Sequence, residues 1–146
     1  MEKYITSSVN ETSALGREIV KKVQNGGFIA LFGDLGAGKT AFVKGMVQSF
    51  LPDTIVTSPT YNIVNTYSDG KVVLHHYDMY RISDDDDLYS VGFYDSNETD
   101  IIVAEWSENI PWAIPDNHIS VTIRKDLENE NVRHIEMEFC NADTRS

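Results

Sequence analysis

The run Gly33-Asp34-Leu35-Gly36-Ala37-Gly38-Lys39-Thr40 constrains this chain more than any other stretch of it. Its glycines let the backbone curl until successive N–H groups point inward, and a helix opening at the lysine adds the positive end of its dipole. The oxygens of a polyphosphate fit that concavity. The spacing lets Lys39 reach the β- and γ-phosphates and sets the Thr40 hydroxyl where it can bind Mg2+. Main-chain N–H groups of Gly33, Asp34, Leu35, Gly36, Ala37, Gly38 and Ala41 supply the rest of the grip. The flanks agree with this reading. Phe28-Ile29-Ala30-Leu31-Phe32 is unbroken apolar sequence, as expected of a strand buried on both faces in a parallel sheet. Beyond the loop, Phe42, Val43, Met46, Val47 and Phe50 recur at helical spacing, and Pro52 ends the helix.

Strand, glycine loop and helix in that order predict an α/β chain of the three-layer P-loop NTPase type, with a central, mostly parallel mixed sheet. At 146 residues it is expected to form one domain, residues 1–146, with residues 140–146 a frayed tail. The net charge of −11, with only twelve scattered Lys and Arg, argues against direct strong binding to tRNA or any other nucleic acid. If the chain serves an RNA process, another protein should hold the RNA. No stretch approaches the ~20 apolar residues needed to cross a bilayer, so no membrane partner is expected. Residues 1–11 are polar and lack the apolar core of a signal peptide, which predicts a cytoplasmic home. Cys140 is the only cysteine, so a disulfide framework is excluded.

Residues near 10–13 should open the first helix, with Ser8 and Glu11 as a capping box and Asn10 or Thr12 as rival caps. Leu15, Ile19 and Val23 give its buried stripe, and Gly26-Gly27 stop it. This helix lies just upstream of the loop, so Thr12 is also a candidate contact to a nucleotide base. Thr54-Ile55-Val56 reads as a short strand leading into Ser58-Pro59-Thr60, where Ser58 and Thr60 form a possible switch segment. Residues 62–67 and 71–77 flank Ser68-Asp69-Gly70, the signature of a hairpin. Asp84 to Asp87 should form the acidic first turn of a short helix, a simpler reading than a metal site. Residues 118–123 and 133–139 alternate polar with apolar and read as an antiparallel pair at one sheet edge.

A nucleotidase of this kind needs an acid besides the loop, at the carboxyl end of a buried strand where open α/β sheets place their crevice. Two strands end that way. Ile101-Ile102-Val103-Ala104 runs into Glu105, and the second hairpin arm runs into Asp78. Glu105 follows the more apolar run and is the preferred metal partner with Thr40, leaving Asp78 to poise water; pattern alone also allows the reverse assignment. Arg81 could pair with a phosphate or with the acidic run. Trp106 is expected on the other face of its strand, in the core or beside the nucleotide. His75 and His76 point to opposite faces and cannot chelate one ion together.

Taken in order, the loop, Ser58-Pro59-Thr60-Tyr61, His76-Tyr77-Asp78-Met79-Tyr80-Arg81 and Glu105-Trp106 resemble the motifs of the TsaE family, also called YjeE, over roughly residues 10–125. The resemblance implies a small bacterial P-loop ATPase that binds the TsaB–TsaD pair and supports threonylcarbamoyladenosine formation on tRNA, hydrolysing ATP to reset that complex. It further implies that Lys39 and Thr40 hold phosphates and Mg2+, that Glu105 serves the metal, and that Asp78 with Trp106 supports hydrolysis. One departure is Ala41, where relatives often carry a second threonine that supports the α-phosphate. No arginine finger stands in these motifs, so hydrolysis by the isolated chain should be slow. Competing readings are a small-molecule kinase, for which five arginines and no lid insertion are poor equipment, and a nucleotide-binding switch without hydrolysis.

Overall fold

Local chemistry sets the ends of the elements in the computed structural model, which describes residues 1–34 and 37–141. Ser8 is extended, and its Oγ accepts a hydrogen bond from the Glu11 N–H at 3.1 Å. Glu11 Oε1 in turn accepts from the Ser7 N–H at 3.2 Å, so helix α1 (Val9–Val20) starts on a reciprocal cap. The hairpin turn is fixed the same way: Asp69 Oδ1 accepts from the N–H groups of Lys71 (2.8 Å) and Val72 (2.7 Å). It joins β3 (Val64–Ser68) to β4 (Val73–Asp78) in antiparallel register, Ser68 opposite Val73. Asp84 caps α3 (Asp85–Ser90) through the Asp87 N–H at 2.9 Å.

The apolar runs build the centre. Strand β2 (Gly27–Phe32) pairs in parallel with both β5 (Ile101–Glu105) and β6 (His118–Lys125), and β5 pairs in parallel with β4. Antiparallel strands flank this parallel core: β3 on one side, β7 (Arg133–Cys140) and β1 (Glu2–Thr6) on the other. One sheet of seven strands results, in the order β1-β7-β6-β2-β5-β4-β3. Alternation along β2 divides its side chains between two cores. Ile29 and Leu31 pack with Val103, Phe42, Met46 and Val47 beneath α1 and α2 (Lys39–Gln48). Phe28 and Ala30 pack with Tyr77, Leu88, Phe93 and Ile110 on the other face. The two helices cross almost backbone to backbone: a Cβ on Gly45 would lie 1.8 Å from Ser13 O.

Several expectations change. Strand β1, unread in the sequence, pairs with β7 and takes the sheet edge that the pair 118–123 and 133–139 was expected to occupy. Its first four residues are exposed, so ladder hydrogen bonds rather than an apolar stripe hold it. Residues 54–56 form no strand. Gln48 Nε2 donates to Thr54 O at 3.2 Å, Ile55 is exposed, and only Val56 joins the core; the segment touches edge strand β3 through a side chain, Asn65 Nδ2 donating to Thr57 O at 3.2 Å, and forms no ladder with it. Helix α1 ends at Val20, ahead of Gly26-Gly27, and α2 ends before Phe50. Cys140 is the last residue of β7 rather than part of a frayed tail, and residues 142–146 lie outside the described residues. No helix among the described residues is long and apolar enough to cross a membrane.

Candidate functional site

Parallel pairing sends the carboxyl ends of β2, β4 and β5 to one rim of the sheet, and in register Asp78 lies opposite Glu105 while Glu105 lies opposite Leu31. Asp78 and Glu105 are the last residues of their strands, and both are buried. The chain leaving β2 enters the phosphate-loop motif and returns as α2. Gly38 makes the junction with φ 105°, a left-handed conformation that glycine adopts without strain. Among the described residues no side chain caps α2, which leaves its first N–H groups available to a ligand.

Lys39 opens α2 and is 5% exposed. Its Nζ donates to Gly33 O at 2.6 Å, stands 4.0 Å from Glu105 Oε1, and lies 4.5 Å from the centre of the Trp106 ring. Trp106 does not continue β5. At φ 58° it turns out of the strand, and the following turn closes through Asn109 N–H to Trp106 O at 3.0 Å. The indole rests against the loop lysine and the Tyr80 ring (5.1 Å) at the crevice, and it packs against the core of Phe28, Ala30 and Tyr77 on the face that strand alternation implied. Asp78 Oδ1 accepts from the Tyr80 N–H at 3.0 Å. A crevice of about 530 Å3 is lined by Lys39, Thr40, Asp78, Glu105 and Trp106, with Ser58 and Thr60 on its outer wall. Those two hydroxyls are 3.1 Å apart and exposed.

The donor set matches a hard cation. Two buried carboxylates line the crevice with one buried ammonium group, which stands 4.0 Å from Glu105, an excess of buried negative charge that a cation would relieve. With the Thr40 hydroxyl they offer oxygen ligands, which Mg2+ prefers. Among the described residues no group of three or more His, Cys, Asp and Glu could hold a metal alone, so phosphate oxygens and water would complete the sphere.

Other candidates fall differently. Thr12 lines a small side cavity of about 70 Å3 with Gly38 and Ala41, but its hydroxyl is engaged by Thr6 Oγ1 (2.8 Å) and Ser8 O (3.3 Å). Ala41 O accepts from Ser13 Oγ at 2.9 Å. Ala37 is buried, while Leu35 and Gly36 lie outside the described residues. Arg81 stacks over Tyr61 at 5.9 Å and forms no ion pair with the acidic run among the described residues.

Two participants went unread in the sequence. Arg133 donates from Nε to Ala37 O (2.9 Å) and from Nη1 to Glu130 O (2.5 Å) and Val132 O (3.0 Å), bracing the phosphate loop on the wall of the crevice. Topology was the available signal: β6 runs parallel to β2, so an antiparallel successor begins at the ligand rim. The second is His76, fully buried, whose Nε2 lies 2.5 Å from Glu105 Oε2. Alternation gives its face, but nothing in the sequence names its partner.

Comparison with known proteins identifies the family of the chain. The family model described as threonylcarbamoyl adenosine biosynthesis protein TsaE matches residues 6–135. The tRNA threonylcarbamoyladenosine biosynthesis protein TsaE of Bacillus subtilis is 31% identical over 128 residues, covering 88% of this chain and 80% of that one. Its counterpart in Rickettsia felis is 31% identical over 129 residues, covering 88% and 75%. That of Haemophilus influenzae is 40% identical over 96 residues, covering 65% and 61%. The crystal structure of Bacillus subtilis YdiB superposes with a TM-score of 0.76 at 26% identity, covering 99% of this chain and 88% of that one. A matched motif order, a shared sheet and a family match across nearly the whole chain have one reading: this chain belongs to the TsaE family.

Proposed function

We propose that this chain is a Mg2+-dependent ATPase of the cytoplasm that binds a TsaB–TsaD complex and, by turning over ATP, resets it during threonylcarbamoyladenosine formation on tRNA. The observation that carries the reading is the gathering of Lys39, Thr40, Asp78 and Glu105 on one crevice at the carboxyl rim of a parallel sheet. Open N–H groups at the start of α2 grip phosphate oxygens. Lys39 has three N–H donors and gives one to Gly33 O, which leaves two for the β- and γ-phosphates. The Trp106 face and the Glu105 carboxylate hold that ammonium group at the rim. Mg2+ when bound would neutralise charge on the β- and γ-oxygens, with Thr40 and Glu105 as its protein ligands. Asp78, fixed by the Tyr80 N–H, orients the attacking water. Arg133 spends three donor contacts on backbone carbonyls, so it braces the loop rather than serving as a free finger, in keeping with slow turnover alone. A net charge of −11 is in keeping with a subunit that leaves the tRNA to its partners.

The test is capture of a TsaB–TsaD complex by this chain with ADP, ATP or a non-hydrolysable analogue, read alongside phosphate release. Nucleotide-dependent capture and faster release in the presence of the pair are expected, and Lys39→Ala should abolish both. A release rate unchanged by the pair, with no capture under any nucleotide, would overturn the reading.

A further inference from the structure

His76 occupies a position where an apolar side chain would be the cheaper choice. It is wholly buried in β4, on the face that carries fully buried Leu74 two residues before it and Asp78 two residues after it. Its Nδ1 is buried and has no hydrogen-bond partner among the described residues. Its neighbour His75 faces the other way and uses both ring nitrogens, on Thr66 Oγ1 at 2.9 Å and Asp100 Oδ2 at 2.8 Å. A buried polar atom left unmatched lowers stability, so the single contact His76 does make has to account for its presence. That contact is the 2.5 Å bond to Glu105 Oε2.

We propose that His76 is a positioning residue: its Nε2–H holds one oxygen of Glu105, so that the other, Oε1, faces Lys39 and the crevice. This rests on the metal role given to Glu105 above. The tautomer follows from the surroundings. A buried N–H without an acceptor is rarer in folded proteins than an acceptor left unfilled, so the ring proton sits on Nε2 and the lone pair on Nδ1. A carboxylate at the end of a strand can otherwise rotate about its last side-chain bond. Locking one oxygen from below removes that freedom before any ligand arrives, the service that outer-shell partners give metal ligands.

Nitrogen-15 NMR of the imidazole in the unaltered protein is the first experiment, because it needs no variant that might misfold. A protonated Nε2 and an unprotonated Nδ1 are expected; the opposite tautomer would overturn the proposal. The second measures ATP affinity by calorimetry with Mg2+ and again with a chelator. In His76→Gln the amide nitrogen stands near the place of Nε2, and in His76→Asn it stands near the place of Nδ1. His76→Asn should lose roughly 10- to 100-fold of the Mg2+-dependent gain in affinity while its metal-free affinity holds, and His76→Gln should restore most of that gain. If His76→Asn keeps the full gain, or if both variants lose metal-free affinity equally, His76 only fills space. Failure of the unaltered protein to bind Mg·ATP is a different result. It would remove the proposed function, whereas the reversed tautomer would remove the positioning role alone.

Discussion

Asp78 and Glu105 end buried strands, whereas Asp84, Asp85, Asp86 and Asp87 stand in a row at the exposed start of α3. The surface run holds more carboxylates, yet most of them are satisfied within the run and its immediate surroundings. Asp84 accepts from the Asp87 N–H, Asp87 from the Ser83 N–H at 2.9 Å, and Asp85 from the Tyr94 hydroxyl and the Trp112 indole. The start of a helix also favours negative charge. In the crevice, two acids are at most 9% exposed; Glu105 meets one lysine and one imidazole, whereas Asp78 accepts the Tyr80 N–H and forms no ion pair among the described residues. The contrast shows that counting acids is a poor guide to a site. Charge buried with too little compensation costs stability, and it persists where a ligand supplies the missing partner.

Isosteric neutral variants break or sharpen that contrast most directly. Asp78→Asn and Glu105→Gln should each lower ATP hydrolysis in the presence of the partner pair by roughly 10²-fold. Asp86→Asn should leave it within about two-fold, since surface substitutions away from special features are nearly silent. Phosphate release measured across the three variants decides the matter. Equal losses at Asp86 and Asp78 would mean that the acidic run, and not the crevice, serves the nucleotide.

A smaller effect belongs to the surface region alone. Asp84→Ala removes the cap of α3 and should cost about 1 kcal/mol of stability. For a chain of this size that is a fall in Tm of roughly 2–4 °C. Nucleotide affinity should not change. Thermal melts paired with calorimetry test both halves, and a tenfold loss of affinity without a shift in melting would erase the division between the regions.

The same division explains what sequence could and could not disclose. The caps at Ser8 and Asp84, the Asp69-Gly70 turn and the glycine loop are legible because each is decided by groups within a few residues. Asp78 and Glu105 are legible as a pair because parallel strands share a direction, which places two strand-ending acids on one rim. Long-range choices are hidden. Strand β1 exists because β7 offers an open ladder, a fact of the assembled sheet rather than of its own residues. The stretch at 54–56 has strand-forming residues but forms no ladder with edge strand β3, which it meets only through a side-chain contact at Thr57. Trp106 leaves its strand through a left-handed residue that alternation cannot foresee, and Arg133 reaches Ala37 across 96 positions of sequence.

The smallest predicted effect probes how fully the surface acids are satisfied. Partial burial, the hydrogen bond to Asp85 and the negative charge of that carboxylate together push the Tyr94 hydroxyl from 10.0 up to about 12, against a modest opposing pull involving the Trp112 N–H. A hydroxyl that holds its proton more tightly when folded lends stability that is complete below pH 10. That contribution drains away as pH rises from there toward about 12. Tyr4 and Tyr77 are also held above the usual phenol range, so near-ultraviolet titration of tyrosinate should show late-ionising phenols, and Tyr94→Phe should remove one of them. Denaturant unfolding should show the unaltered protein losing its advantage over Tyr94→Phe between pH 10 and about 12. Because the group is 42% exposed, the difference should be slight and should leave hydrolysis untouched. A Tyr94 that ionises with the exposed tyrosines would mean that Asp85 is held by water rather than by its aromatic neighbours, and the surface run would then be less self-sufficient than its geometry implies.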